Sequence, residues 1–138
     1  IHLDVPTEMS TTVPWEELSP SQLYISGHKM REVMEWFDFD NPTYDPFPVY
    51  ILDGNLTLLD GHTRAFVAYL GGVDTLRVRE LDGCDVEELN LELYRECLDW
   101  CQDEGVTDLS DFIRRVVSHT TYKEKWIDRC HSSPHYND

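Results

Sequence analysis

The sequence predicts an α+β fold in which helices pack on a small mixed sheet and a C-terminal helical cap follows. Two stretches rich in strand-forming residues, 49–52 and 56–59, flank Asp53-Gly54, a dipeptide typical of a tight hairpin turn. Apolar residues then recur with helical spacing at 62–70, and a third strand is predicted at 75–81. These elements together predict a mixed or antiparallel sheet with one helix packed on it.

The chain before the hairpin is predicted to supply a short strand or extended entry at 13–18 and then the first helix. Ser26 is a good N-cap residue, and Ile25 and Met30 have the spacing of a hydrophobic staple across it. The buried stripe of this helix is expected to comprise Met30, Val33, Met34 and Phe37. Residues 38–48 are predicted to form a loop, because three prolines there oppose regular structure.

The C-terminal half is predicted to be acidic and helical. One helical face is expected to comprise Leu91, Tyr94, Cys97, Leu98 and Cys101. A second helix is predicted to begin after Asp108 and to bury Leu109, Phe112, Ile113, Val116 and Val117. A third helix is expected to begin at a capping box formed by Thr121 and Glu124.

Length and composition describe a folded and strongly acidic protein. A chain of 138 residues with 41% hydrophobic content fits one domain over 1–138, with a core at about 13–81 and a helical cap at about 82–130. Lys and Arg total 11 against 27 Asp and Glu, and the resulting net charge of -16 repels nucleic acid and anionic membranes. No stretch approaches the roughly 20 apolar residues of a membrane-spanning helix.

The four cysteines are too sparse for a disulfide scaffold, and the first residues lack a secretory pattern. We therefore expect a cytoplasmic protein with reduced thiols. Cys97 and Cys101 have a spacing that could bind a metal, but a structural zinc site usually needs four ligands, and we expect no zinc.

A sharp corner joins the second predicted strand to the following helix, and it carries the strongest functional signal. Asp60 ends the strand and can cap the helix, Gly61 allows close approach to the backbone, and His62, Thr63 and Arg64 fill the first turn. Unpaired N–H groups at a helix N-terminus, joined by these donors, suit a phosphate. The alternative is a polar turn that only faces water. The apolar face of this helix is expected to comprise Phe66, Val67, Tyr69 and Leu70, with Phe66, Val67 and Leu70 largely buried.

The pentapeptide Asp-Gly-His-Thr-Arg at 60–64, followed by Ala-Phe-Val-Ala-Tyr at 65–69, resembles the core of the ParB/sulfiredoxin superfamily. The resemblance covers about half of the chain, from about Leu18 to Val78. It implies that this corner binds nucleotide phosphates through Asp60, Gly61, His62, Thr63 and Arg64.

Three activities of the superfamily can be compared with these residues. Sulfiredoxins place a nucleophilic cysteine in the corner, and His62 and Thr63 leave no cysteine there, which excludes that chemistry. ParB partition proteins carry a basic DNA-binding domain after the corner, whereas this chain is acidic. Free serine kinases are the nearest match, because they carry Asp-Gly-His-Thr-Arg or a close variant.

The kinase resemblance implies ATP or ADP with Mg²⁺, an acidic residue near the metal, and a glutamate base that activates the acceptor hydroxyl. We expect Asp60 to assist Mg²⁺, and we expect catalytic roles for His62 and for Glu16, which follows Val13-Pro14-Trp15 as the kinase base follows Val-Pro-X. The leading prediction is ATP- or ADP-dependent phosphotransfer to a small hydroxylated molecule such as free serine.

Two alternatives belong to other classes. The first is a non-catalytic module that senses a nucleotide or phosphate and docks a protein partner through its acidic C-terminal helices. The second is a ParB-like protein associated with DNA, which the charge of -16 opposes. Among partners we expect a nucleotide and a small acceptor, and neither nucleic acid nor membrane.

Overall fold

The computed structural model describes residues 10–38 and 44–136. Its strands are β1 (Thr11–Pro14), β2 (Ile25–Ser26), β3 (Phe47–Leu52), β4 (Asn55–Leu58), β5 (Thr75–Glu80) and β6 (Val116–Val117). The larger sheet has the strand order β1-β5-β3-β4, and a second sheet pairs β2 with β6 in parallel. Because β3 pairs antiparallel with β4 and parallel with β5, the larger sheet is mixed. The fold is α+β, as the sequence predicted.

Helices surround this sheet and fill the C-terminal half. They are α1 (Gly27–Trp36), α2 (His62–Leu70), α3 (Gly83–Glu87), α4 (Leu91–Asp103), α5 (His119–Tyr122) and α6 (Asp128–His131). Short 3₁₀ helices span Trp15–Glu17 and Leu109–Arg114, and a π-helical segment, Lys123–Ile127, joins α5 to α6 without a break. Among the helices formed by residues 10–38 and 44–136, none has the length and hydropathy of a membrane-spanning segment.

The central hairpin forms where the sequence predicted it. Leu52 pairs with Asn55, and the two turn residues between them, Asp53 and Gly54, have φ of 50° and 81°. Positive φ at both central residues is the signature of the hairpin turn that Asp-Gly favours. The prediction of a loop as far as residue 48 was wrong at its end, because β3 begins at Phe47. Pro48 is tolerated near the start of the strand, and its carbonyl accepts the N–H of Leu59 at 3.0 Å.

The core lies between α2, the larger sheet and the 3₁₀ helix at Leu109–Arg114. Phe66 and Val67 of α2 are 1% exposed, as predicted, and the ring of Phe66 meets that of Phe112 edge-on with centroids 5.8 Å apart. Leu70 is 47% exposed, so its predicted burial was wrong. Leu70 is the last residue of α2, and the Gly71-Gly72 turn that follows it is exposed as well.

The first helix is capped as predicted, since the Ser26 side chain accepts the N–H of Lys29 at 3.3 Å. Its predicted buried stripe was wrong in part. Phe37 is buried, Met30 and Val33 are half-buried, and Met34 is 49% exposed because α1 lies on the surface with one edge against α2.

The C-terminal half departs from the prediction in two places. Asp108 does cap the next element, through a capping box with Asp111, but that element is a 3₁₀ helix and Val116–Val117 forms β6 instead of continuing it. The next helix begins at His119 with Ser118 as its N-cap, three residues before the predicted start. The predicted face of α4 is correct at its centre, where Cys97, Leu98 and Cys101 are buried.

Candidate functional site

The corner between β4 and α2 has a backbone that leaves a helix N-terminus open. Gly61 is the N-cap with φ of 81°, and no side chain caps the first turn. The Asp60 carboxylate was predicted to cap the helix, but its Oδ1 instead accepts the N–H of Gly61 itself at 2.8 Å. The N–H groups of the first turn are therefore left for water or a ligand, with the positive end of the helix dipole behind them.

Gly61 is also the point at which two side chains approach the backbone. A Cβ atom at this position would lie 2.7 Å from Nη2 of Arg64 and 2.9 Å from Cδ1 of Phe47. Both distances are shorter than a real Cβ contact. Glycine is therefore required here by space as well as by backbone conformation.

Arg64 lies across the Phe47 ring beside this glycine, with its Cζ 5.2 Å from the ring centroid. The side chain is half-buried, and no carboxylate among residues 10–38 and 44–136 forms an ion pair with it. The aromatic face holds the guanidinium in place without neutralising its charge. Arg64 is thus a positioned cation beside an open helix N-terminus.

Lys29 of α1 supplies a second cation to the same pocket. Its Nζ lies 5.0 Å from the centroid of the Tyr122 ring, and no described carboxylate pairs with it. Four of the arginines, by contrast, form ion pairs: Arg79, Arg95, Arg115 and Arg129. Asp60 and Glu32 line the same pocket as these two cations, so the pocket carries as many basic as acidic side chains in a chain with 27 acidic and 11 basic residues.

The pocket itself has a volume of about 370 Å³ and lies between α1 and the N-terminus of α2. Glu32 is its second carboxylate besides Asp60, and it accepts from Nε2 of His28 at 2.7 Å. The lining comprises Gln22, Lys29, Glu32, Val33, Trp36, Asp60, Gly61, His62, Thr63, Arg64 and Tyr122. All five corner residues predicted from the sequence therefore line one cavity.

His62 lines the pocket but is held by the protein. It is 4% exposed, and its Nε2 accepts the backbone N–H of Ser21 at 3.0 Å. Burial lowers the pKa of the imidazole to about 3, so the ring is neutral and carries its proton on Nδ1. Ser21 in turn donates its hydroxyl to the Leu58 carbonyl at 2.7 Å. At Nε2, His62 fixes the segment before α1 against the corner and cannot donate a proton to a ligand.

Glu16, the predicted base, lies elsewhere. It is exposed in the 3₁₀ helix that begins with Trp15, and the Trp15 ring packs edge-on against Tyr69 with centroids 4.6 Å apart. Tyr69 is at the opposite end of α2 from His62, about 10 Å along a helix that rises 1.5 Å per residue. The structure therefore does not bring Glu16 into the pocket, which Glu32 lines instead.

The predicted magnesium role can be tested on the donor set. In the part of the chain that is described, no group of three or more His, Cys, Asp or Glu side chains could hold a metal ion by itself. Mg²⁺ usually binds through one or two carboxylates together with substrate phosphates and water. Asp60 lines the pocket and supplies one such carboxylate, which fits Mg²⁺ held mainly by phosphate oxygens and water.

Sequence reasoning missed the pocket residues contributed by α1 and α5. Lys29, Glu32 and Trp36 follow one another at helical spacing of three and four, which placed them on one face of a helix. Nothing local showed that this face lies opposite a corner far along the chain. Tyr122 was assigned to a helix without any role in a site.

No protein-family model matches the chain, and no curated protein matches it in sequence. Among solved structures, it is similar to sulfiredoxin from Arabidopsis thaliana, with 19% identity and a TM-score of 0.48 over 62% of this chain and 96% of that one. It is also similar to protein Atu1540 from Agrobacterium tumefaciens, with 15% identity and a TM-score of 0.44 over 71% of this chain.

The chain spans about half the length of the Atu1540 chain, of which 49% is covered.

Proposed function

We propose that the pocket between α1 and α2 binds a nucleotide, ATP or ADP, through its phosphates. The observation that carries this proposal is the pair formed by Lys29 and Arg64, which line one pocket without described acidic partners in a chain of net charge -16. Leaving two cations unpaired where acidic residues are abundant favours an anionic ligand as their partner.

The corner supplies the remaining features of a phosphate site. Gly61 opens the N-terminus of α2, and the first-turn N–H groups point to the end of the helix where an anion is stabilised. Hydrogen bonds to charged groups contribute about 1.5–3 kcal/mol each, so a guanidinium, an ammonium and backbone donors together suffice for specific binding.

The other lining residues favour a nucleotide over inorganic phosphate. A volume of about 370 Å³ exceeds what one phosphate fills and lies within the usual range of small-ligand pockets. Trp36, which is 57% exposed, and Val33 give the pocket an apolar side where a planar base can stack.

Phosphotransfer is the second candidate, and Glu32 is the observation that favours it. A carboxylate beside these two cations can accept the proton of an acceptor hydroxyl, which is the role that the kinase resemblance implies for Glu16. The acceptor in this proposal is a small hydroxylated molecule, and the pocket gives no support for free serine in particular. A nucleotide sensor without turnover is the competing outcome.

Thermal unfolding with and without ligand tests binding. ATP or ADP with Mg²⁺ at 100 times its Kd should stabilise the wild-type protein by about 2.7 kcal/mol and raise Tm accordingly. Arg64→Ala and Lys29→Ala should each lose most of this shift while keeping an unliganded Tm close to wild type. Arg31→Ala is the matched control, because Arg31 lies on α1 but lines a different groove.

Two outcomes would end the proposal: no nucleotide shifts the wild-type Tm, or Arg64→Ala responds as wild type does. Equal shifts with inorganic phosphate alone would reduce the site to a phosphate site.

Turnover then separates the two candidates. A phosphotransferase should consume ATP only when a hydroxylated acceptor is present, and Glu32→Gln should keep the nucleotide-dependent Tm shift while losing transfer. Glu16→Gln is the control, and it should transfer at the wild-type rate because Glu16 does not line the pocket. A sensor would show binding and no acceptor-dependent consumption in any variant.

A further inference from the structure

Two cysteines line a second, smaller pocket next to the pocket between α1 and α2. Cys97 lies on α4 and Cys130 on α6, and the two thiols lie close enough to influence each other's ionisation. Both line a pocket of about 170 Å³ that shares Gln22 and His62 with the larger one. The pair therefore joins two helices that are far apart in the sequence, at a place that small molecules can enter.

The two sulfurs have different environments. The neighbouring Cys97 thiol is the largest influence on Cys130 and lowers its pKa; the guanidinium of Arg129 also lowers it, while burial and Glu96 act in the opposite direction. The pKa of Cys97 is raised by the neighbouring Cys130 and by burial, and this residue is 4% exposed. Cys130 is half-buried. Cys130 is therefore the thiol of the pair that ionises more readily, and Cys97 stays protonated beside it.

The other two cysteines lack this arrangement. Cys101 lies one turn beyond Cys97 on α4, is fully buried and does not line the small pocket. Burial raises the pKa of its thiol to about 12. Cys84 is exposed on α3, away from this pocket. The geometry separates Cys97 and Cys130 from them as a pair.

We propose that Cys97 and Cys130 form a reversible disulfide on oxidation by a small hydroperoxide. The Cys130 thiolate attacks one oxygen of hydrogen peroxide, the O–O bond breaks, and the departing hydroxide takes a proton to become water. The Cys97 sulfur then attacks the sulfenic acid of Cys130, forms the S–S bond, and releases a second water with the Cys97 proton. The two thiols supply the two electrons that reduce the peroxide.

The size of the pocket limits the oxidant. A space of about 170 Å³ holds several molecules of the size of water, each of which takes about 30 Å³ in the liquid, so hydrogen peroxide can reach the pair. The resulting bond would link α4 covalently to the helix that carries the C-terminal residues. This proposal does not depend on nucleotide binding.

Thiol counting after peroxide treatment tests the proposal. The full chain with Cys84→Ser, which removes the exposed thiol, is reduced, freed of reductant and treated with hydrogen peroxide. The protein is then unfolded and its free thiols are counted with dithionitrobenzoate. Their number should fall from three to one, and dithiothreitol should restore it. Tryptic digestion should yield a disulfide that joins the peptide of residues 96–114 to the peptide that begins at Cys130.

The first of these peptides also contains Cys101, so single cysteine-to-serine variants are needed to identify which residue forms the disulfide with Cys130. Cys101→Ser should keep the cross-link, and Cys97→Ser should abolish it and leave Cys130 as a sulfenic acid that dimedone labels. All variants keep a side chain of similar size, and the Tm of each reduced form controls for folding. The proposal is overturned if thiols persist at peroxide concentrations that oxidise free cysteine, if the cross-link survives Cys97→Ser, or if Cys101→Ser removes it.

Discussion

Gly61 meets two separate requirements, and a matched glycine in the hairpin allows them to be measured apart. Gly61 and Gly54 share the same φ of 81°, but a Cβ at Gly54 would contact nothing within 4 Å. Gly54→Ala should therefore cost only the left-handed backbone strain, about 1 kcal/mol. Gly61→Ala adds the collision with Phe47 and Arg64 and should cost about 3 kcal/mol in urea unfolding. Equal costs would show that the space beside Gly61 adjusts freely.

His62 makes the free energy of unfolding depend on pH. Its folded pKa of about 3 lies below the ordinary value of 6.5, so above pH 6.5 both folded and unfolded forms are neutral and the full stability is present. As pH falls from 6.5 toward 3, the unfolded chain takes up a proton that the folded one does not, and stability drops by about 1.4 kcal/mol per pH unit from this residue.

The variant His62→Gln keeps an acceptor near the Nε2 position and removes the titration. Its free energy of unfolding should therefore fall less steeply between pH 6.5 and 4, a range inside the window set by the two pKa values. The exposed His131→Gln controls for the loss of one histidine. An unchanged slope in His62→Gln would show that the ring is protonated in the fold.

At the scale of single residues, the sequence predicted the arrangement of the corner well, because neighbouring residues in the chain determine it. A glycine before three polar residues at a helix start places Gly61, Thr63 and Arg64 beside one another whatever the rest of the chain does. The contact that holds His62 in the interior comes from Ser21, which is 41 positions away, so the residues next to His62 in the sequence could not predict it. The position of Glu16 outside the pocket could not be read locally either, since only the packing of Trp15 on Tyr69 shows which end of α2 it accompanies.

At the scale of elements, the N-cap of α1 ties two parts of the fold together. The Ser26 hydroxyl accepts from Lys29 N–H and also bonds Nδ1 of His119 at 3.0 Å, and the residue has no exposed surface. Ser26→Ala should cost about 2 kcal/mol, at the upper end for an N-cap, because it also leaves His119 without this partner. Ser118→Ala, an exposed N-cap of α5, should cost less in the same urea experiment. Equal losses would contradict a special role for Ser26.

Long-range pairing also explains which elements could be predicted. The hairpin and α2 carry their own signals in turn chemistry and periodicity, and they formed where expected. Val116 and Val117 fit a helical stripe equally well, but they pair with Ile25 and Ser26 as a parallel strand. A two-residue strand whose partner lies that far back leaves no local pattern. Sequence periodicity alone therefore assigned it to the wrong element.

At the scale of the whole molecule, net charge outweighs the local cations. The pocket concentrates Lys29 and Arg64, but a charge of -16 repels the long phosphate chain of a duplex. We expect no measurable affinity for random duplex DNA at about 0.15 M salt, where screening reaches about 8 Å. Fluorescence anisotropy with a labelled duplex checks this, and micromolar binding would restore the DNA-associated alternative.

The π-helical segment between α5 and α6 makes this part of the chain tolerant of a change in length. A π-turn holds one residue more than an α-turn, so the helix that runs from His119 to His131 carries one extra residue within Lys123–Ile127. Deleting the exposed Glu124 should convert the bulge to α-helix and leave Tyr122 and Cys130 on their present faces. Deleting the exposed Asp99 within α4 should instead turn all later residues by about 100° and take Cys101 out of the core. A length variant missing Glu124 should therefore fold with a cooperative thermal transition, and one missing Asp99 should not.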